Sequence, residues 1–210
     1  MSAGRTAREE AQYQKFFYPG TETLINKLDI RDPKVLEDAE RRFVETRMQE
    51  GLPSQARKLT YDGFKAIHRH LFQDVYEWAG QERTYTTGRG PAPFAVPEHI
   101  GSYLNDRFAK LKAEKNLVGL KPAKFAERAA EHVNEINAAH PFIEGNGRTQ
   151  RTWLRVLGDN AGYKISLSSK DQEAWYEASR IGFERLDPKP MAKLITENLS
   201  ERSRDHDRER

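Results

Sequence analysis

Apolar residues recur at three- and four-residue spacing through most of this chain, the period of helices that bury one face against a shared core. Asp32-Pro33 supplies a cap with proline in the first helical position, and Val35, Leu36, Ala39 and Phe43 form a stripe that Gly51-Leu52-Pro53 stops. Thr60 caps a second run, with Phe64, Ile67, Leu71, Phe72 and Val75 on one face, ending near Gly80. Pro97 opens a helix carrying Ile100, Leu104, Phe108 and Leu111, and Pro122 one carrying Phe125, Ala129, Val133 and Ile136. Trp153, Leu154, Val156 and Leu157 continue another to Asn160-Ala161-Gly162; two more patterns follow, around Trp175 and from Met191 to Leu199. The pattern predicts an all-α fold with a charged, frayed tail over residues 200–210.

One segment breaks the helical period. Residues 83–96 are β-branched and aromatic at the ends and rich in glycine and proline in the middle, which predicts a β-hairpin whose tip runs through Thr86, Thr87, Gly88, Arg89 and Gly90.

The candidate chemistry is concentrated in His140-Pro141-Phe142-Ile143-Glu144-Gly145-Asn146-Gly147-Arg148-Thr149-Gln150-Arg151. Pro141 disfavours helical geometry in the residue before it, so the preceding helix ends at His140 and the imidazole sits at a helix-to-loop boundary. Gly145 and Gly147 let bare backbone approach a ligand and lead into a good helix former, whose free N–H groups make an anion site. Arg148 and Arg151 share a face of its first turn and suit phosphate oxygens. Glu144 would be repelled by those phosphates unless a cation lay between, which points to Mg2+ held by one carboxylate and the phosphates.

Composition narrows the classes without adding a site. At 210 residues and 37% hydrophobic, the chain can bury one sizeable core. The net charge of +3 comes from 35 basic against 32 acidic residues, a narrow surplus that implies no nucleic-acid binding. No cysteine is present, which excludes disulfides and thiolate chemistry. No window has the apolar length of a signal peptide or a membrane span, so the sequence reads as soluble, unexported by that route and without a membrane partner.

The order HxFxEGNGRxxR resembles the full signature of the Fic family, whose members mostly transfer AMP from ATP to a protein hydroxyl. The resemblance covers residues 59–199, with Phe17 to Gly20 as a further echo of bacterial members. It implies a compact Fic-type helical domain over 59–199, carrying the hairpin as a flap beside the active site, with residues 1–58 as a helical extension packed on it. By position His140 resembles the family's general base and Glu144 its magnesium ligand. Gly145, Asn146 and Gly147 match its phosphate-cradling loop, and Arg148 and Arg151 its phosphate-binding arginines. The flap after Trp78-Ala79-Gly80 would dock an extended stretch of the target protein by strand addition. A free histidine titrates near pH 6.5, so His140 would be neutral and basic without unusual tuning.

Two other readings stay open. A phosphotransferase branch of the superfamily carries Ala and Lys where this chain has Gly145 and Gly147, and an interaction module would bind without turnover; intact His140 and Glu144 speak against the second. Many Fic enzymes are held off by a helix reading [S/T]xxxE[G/N], and Thr46-Arg47-Met48-Gln49-Glu50-Gly51 fits those letters. It lies directly before the helix at Thr60, so the favoured expectation is inhibition in trans by a small antitoxin rather than by Glu50. Compact bacterial toxins similar to this chain have DNA gyrase and topoisomerase IV as targets, so the resemblance implies a cytoplasmic bacterial protein, with export as an effector the alternative.

Overall fold

Phe125, Ala126, Ala129, Ala130, Val133, Ile136 and Ala139 leave helix α5 (Pro122–Ala139) apolar on more than one side, and four other helices pack against it. The structure is a computed structural model and describes residues 6–89 and 92–201. Among these, α1 (Ala7–Gln14), α2 (Pro33–Glu50), α3 (Tyr61–Phe72) and α4 (Pro97–Ala113) precede α5, and α6 (Asn146–Ala161), α7 (Gln172–Arg185) and α8 (Lys189–Glu197) follow it. Helix α5 packs on α4, α6, α7 and α8, while α3 packs on α2 and α6. Where α3, α4 and α6 meet, Phe64 stacks on Phe142 with centroids 5.6 Å apart and meets Trp153 edge-on at 6.4 Å. Burying each such ring contributes about 2 kcal/mol. No helix among the described residues is long and apolar enough to cross a membrane.

Two antiparallel hairpins complete the fold. Strand β1 (Gly88–Arg89) pairs with β2 (Ala92–Pro93), placing Gly88 opposite Pro93 and Arg89 opposite Ala92; this is the expected flap, although Gly90 lies outside the described residues. Strand β3 (Tyr163–Ile165) pairs with β4 (Leu199–Glu201), Tyr163 opposite Glu201 and Ile165 opposite Leu199.

The second hairpin corrects the expected tail. Ser200 and Glu201 do not fray but are the last two residues of β4, and α8 stops at Glu197 because Leu199 has turned into the strand. Residues 202–210 lie outside the described residues. The Thr60 helix is also shorter than its stripe. The N–H groups of Val75 and Tyr76 both turn onto the Phe72 carbonyl at 3.0 Å, which ends α3 there and brings Tyr76 and Trp78 back as a stacked pair 4.3 Å apart. In α2 the buried positions are Leu36, Glu40 and Val44 rather than a wholly apolar stripe; Val35 is exposed. The extension therefore shares the core, and it buries a carboxylate there.

Candidate active site

His140 caps α5 in the left-handed conformation, φ 44° and ψ 61°, with its N–H still bonded to the Ile136 carbonyl at 3.2 Å. A non-glycine residue held there is strained unless its surroundings fix it. The Phe94 ring lies flat on the imidazole, 4.1 Å away and 6° from parallel. Nδ1 is buried without a hydrogen-bond partner, which leaves Nε2 as the nitrogen able to reach a ligand. Burial, with the Arg83 and Arg89 guanidiniums adding to it, pushes the imidazole down to about 3. His140 is thus neutral at cellular pH, as the sequence suggested, but through strong tuning rather than none.

The loop after His140 is braced from within. Asn146 is buried; its Nδ2 donates to the Phe142 carbonyl at 2.8 Å and its Oδ1 accepts the Phe142 N–H at 3.0 Å. Its side chain thus holds the loop, and only its backbone is left to meet a phosphate. His68, buried in α3, accepts the Gly80 N–H at Nδ1 (2.8 Å), so its Nε2 carries the proton that bonds the Glu144 carbonyl at 3.0 Å. Desolvation pushes His68 to about 3 and keeps it neutral. Gly145 caps α6 with φ 79°, and a Cβ there would stand 2.3 Å from Cζ of Phe72. With glycine as its cap, α6 has no side chain over its first N–H groups, so the predicted anion site is open.

The two signature arginines differ in how they are held. The Arg148 Nη1 lies 2.6 Å from Oε1 of Glu40, its Nη2 lies 3.3 Å from Oε1 of Glu144, and the guanidinium rests 4.7 Å over the Phe72 ring. Glu40 is 6% exposed and takes the Tyr76 hydroxyl on its other oxygen at 2.5 Å. The buried carboxylate endures because both of its oxygens have a partner. Arg151 has no carboxylate partner among the described residues. Its guanidinium lies 5.7 Å over Trp175, and burial, with Arg148 and Arg155 adding to it, lowers it to about 10. His140, Glu144, Gly145, Gly147, Arg148 and Arg151 line one cavity of about 1070 Å3, which Glu40 and Tyr76 enter from one side and Arg89, Trp175 and Tyr176 from the other.

For a magnesium ion the donor set fits one arrangement only. Among the described residues no three metal-ligating side chains converge, so the protein alone builds no cage. Glu144 has a half-exposed side chain; Oε1 takes the Gly145 N–H at 2.7 Å as well as Arg148, and no hydrogen bond from the described residues falls on Oε2. One available carboxylate oxygen beside an anion site suits an ion whose other ligands are phosphates and water.

At the flap, the Phe94 N–H bonds the Thr87 carbonyl at 2.9 Å, so Thr87 faces β2 and the Thr86 N–H points outward along the free edge of β1. That donor is already taken. Glu9 of α1 accepts the Thr86 N–H at 3.1 Å and its hydroxyl as well, which, with a capping box onto Thr6, holds the Glu9 carboxyl down at about 2. Arg89 lies 4.8 Å over the Tyr176 ring. Glu50 does not approach Arg151: it pairs with Arg47 at 2.9 Å, and Arg47 holds Asp74 at 2.6 Å. The letters of the inhibitory pattern therefore fall on an ordinary ion-paired helix end.

Sequence reasoning missed Glu40, Arg83, His68 and Glu9. Glu40 alone had a readable signal, a carboxylate four residues from both Leu36 and Val44 on the buried face.

Residues 58–157 match the Fic/DOC family. A probable protein adenylyltransferase of Sinorhizobium fredii is 41% identical over 162 residues, covering 77% of this chain and 83% of that protein. The probable protein adenylyltransferase Fic of Escherichia coli is 37% identical over 175 residues, covering 80% and 83%. A crystal structure of the Bartonella tribocorum effector BepC with bound AMPPNP superposes with a TM-score of 0.81 at 27% identity, covering 90% of this chain and 98% of that one. The fold and site define a helical nucleotide-handling enzyme. The chain belongs to the Fic/DOC family, whose Fic domain is an AMP-transferring enzyme.

Proposed function

We propose that this chain transfers AMP from ATP to a Ser, Thr or Tyr hydroxyl of a protein. The observation that carries the reading is a neutral His140 sharing one cavity with the uncapped start of α6 and an Arg151 that has no carboxylate partner among the described residues. The first N–H groups of α6 and the guanidiniums of Arg148 and Arg151 bind the triphosphate and stabilise charge that builds on it. Nε2 of His140 takes the hydroxyl proton; the hydroxyl oxygen bonds to the α-phosphorus in line as the bond to the β-phosphate's bridging oxygen breaks, and pyrophosphate leaves. A magnesium ion at Glu144, when bound, would neutralise part of the phosphate charge. Gly145 speaks against the phosphotransferase alternative, because that branch's alanine would collide with Phe72 here.

The protein target docks by adding a strand to the outer edge of β1, which requires Glu9 to release Thr86. Within the same proposal the chain is a bacterial, cytoplasmic toxin acting on DNA gyrase and topoisomerase IV, held off by an antitoxin whose glutamate reaches Arg151. An Arg151 without a carboxylate partner among the described residues and a Glu50 engaged by Arg47 support inhibition in trans. Likeness to a translocated Bartonella effector favours the alternative of an exported enzyme with another target. The test offers purified chain, bacterial lysate and purified gyrase with ATP labelled at the α- or the γ-phosphate. Label on protein from the α-position alone is expected; label from the γ-position would mean phosphotransfer, and no label on gyrase would remove that target.

A further inference from the structure

Between the Trp78-Ala79-Gly80 turn and the flap sits Arg83, whose guanidinium is among the most deeply buried charged groups of the protein, 1% exposed, with no carboxylate partner among the described residues. Its donors go to backbone carbonyls from three places. Nε donates to the His140 carbonyl at 2.8 Å and Nη2 to that of Ala139 at 3.1 Å; Nη1 reaches the Tyr85 carbonyl at 2.6 Å and Nη2 the Ala95 carbonyl at 2.5 Å. The Arg83 N–H bonds the Pro141 carbonyl at 2.8 Å, and the Ala95 N–H bonds that of Ala138 at 3.0 Å. One side chain thus joins both arms of the flap to the end of α5, where the helix leaves carbonyls without internal partners and favours a cation.

We propose that Arg83 is a positioning residue of the transfer reaction, holding the strained His140 peptide and the Phe94 face of the flap in one fixed relation. His140 alone would not keep φ 44°. The fork removes that freedom, because four carbonyls on three segments are met by one planar group. A lysine has three donors at a single point and cannot span them. A charge role accompanies the geometric one. The charged groups bearing on the imidazole are Arg83 from the segment before the flap and Arg89 from β1, and both disfavour its protonation; from the residue after β2 it meets the uncharged Phe94 ring. Arg83 therefore also helps keep the base free of a proton.

The proposal rests on His140 being the base. The experiment uses the full chain with α-labelled ATP and lysate, and compares the parent with Arg83→Lys and Arg83→Met for kcat, KM for ATP, thermal unfolding and the acid limb of the pH profile. Arg83→Lys should keep KM for ATP within about twofold and lose at least about tenfold in kcat, the loss of a group that orients a catalyst. Arg83→Met should in addition move the acid limb to higher pH, a shift that Arg83→Lys, which retains the charge, should not show. A folded Arg83→Lys with parental kcat, or an Arg83→Met acid limb that does not move, would overturn the proposal. Should both variants fail to fold, histidine titration of the parent by NMR decides, with His140 identified by its absence in His140→Ala. His140 must still be neutral at pH 5, and an ordinary titration near 6.5 overturns the proposal. If the parent itself moves no label, the transfer reading fails; if it does and Arg83→Lys matches it, only the role of Arg83 fails.

Discussion

Replacing Gly145 by alanine tests how the catalytic loop is seated. The residue sits at φ 79°, where an alanine costs ~1–2 kcal/mol over glycine. Its Cβ would lie 2.3, 2.4 and 3.1 Å from Cζ, Cε2 and Cε1 of Phe72, a fully buried ring. Carbon contacts relax only near ~3.5 Å, so the ring must withdraw by about 1 Å into packed core, an overpacking cost of ~1–3 kcal/mol. Together these give roughly 2–5 kcal/mol, a large share of the ~5–15 kcal/mol of an ordinary domain. Phe72 also supports the Arg148 guanidinium at 4.7 Å, so the displaced ring should raise KM for ATP. Gly147→Ala is the contrast: its Cβ meets nothing nearer than Nη1 of Arg151 at 3.7 Å, and alanine is the better helix former. Urea unfolding of both variants, with ATP kinetics, measures the difference. A Gly145→Ala loss below about 1 kcal/mol with unchanged KM would show that the loop is not wedged on Phe72 and would refute the reasoning.

Further outcomes follow from the same geometry. His140→Ala should lower AMP transfer by at least ~10²-fold while leaving ATP affinity nearly unchanged; near-normal transfer would take His140 out of the mechanism. Glu144→Ala should raise the magnesium concentration needed for half-maximal transfer, and identical titrations for variant and parent would remove Glu144 as a ligand. Glu9→Ala should free the Thr86 N–H and speed modification of the protein target several-fold without altering ATP binding, whereas Thr86→Pro should slow it; equal rates in all three proteins would mean that this edge docks nothing. For pH, His68 titrates near 3 when folded and near 6.5 when unfolded, so the unfolded chain binds the extra proton between those values. Its contribution is fully present above pH 6.5 and is lost as pH falls below it, on the order of 2 kcal/mol by pH 5. His140 and His132, also depressed, act with the same sign. Urea midpoints at pH 7 and pH 5 measure this, and a flat response would contradict burial of a neutral His68.

Most helices and the whole signature could be read from the chain because both are local. Apolar spacing reports which face of α4, α5 or α6 is buried, and Pro141 stops α5 whatever surrounds it. Glycine at 145 and arginines at 148 and 151 mark an anion site by chemistry alone. The misread elements depend on distant partners. Ser200 becomes strand only because Lys164 lies opposite it, and α3 stops at Phe72 where the chain turns onto its carbonyl and carries Trp78 back against His68. The same holds within the site. Glu50 fits an inhibitory pattern by letters, yet Arg47 and Asp74 engage it in an ion-pair chain, while Glu40, which fits none, is the carboxylate that reaches Arg148. Asn146, expected at the phosphates, spends its side chain on Phe142 four residues back. Arg83 and Glu9 act across 57 and 77 residues of chain, on His140 and Thr86. Sequence alone thus determined which residues can do chemistry, because residue type and local spacing carry that information. Tertiary structure decided which are free to do it, because a side chain's availability depends on which distant partner has already satisfied it.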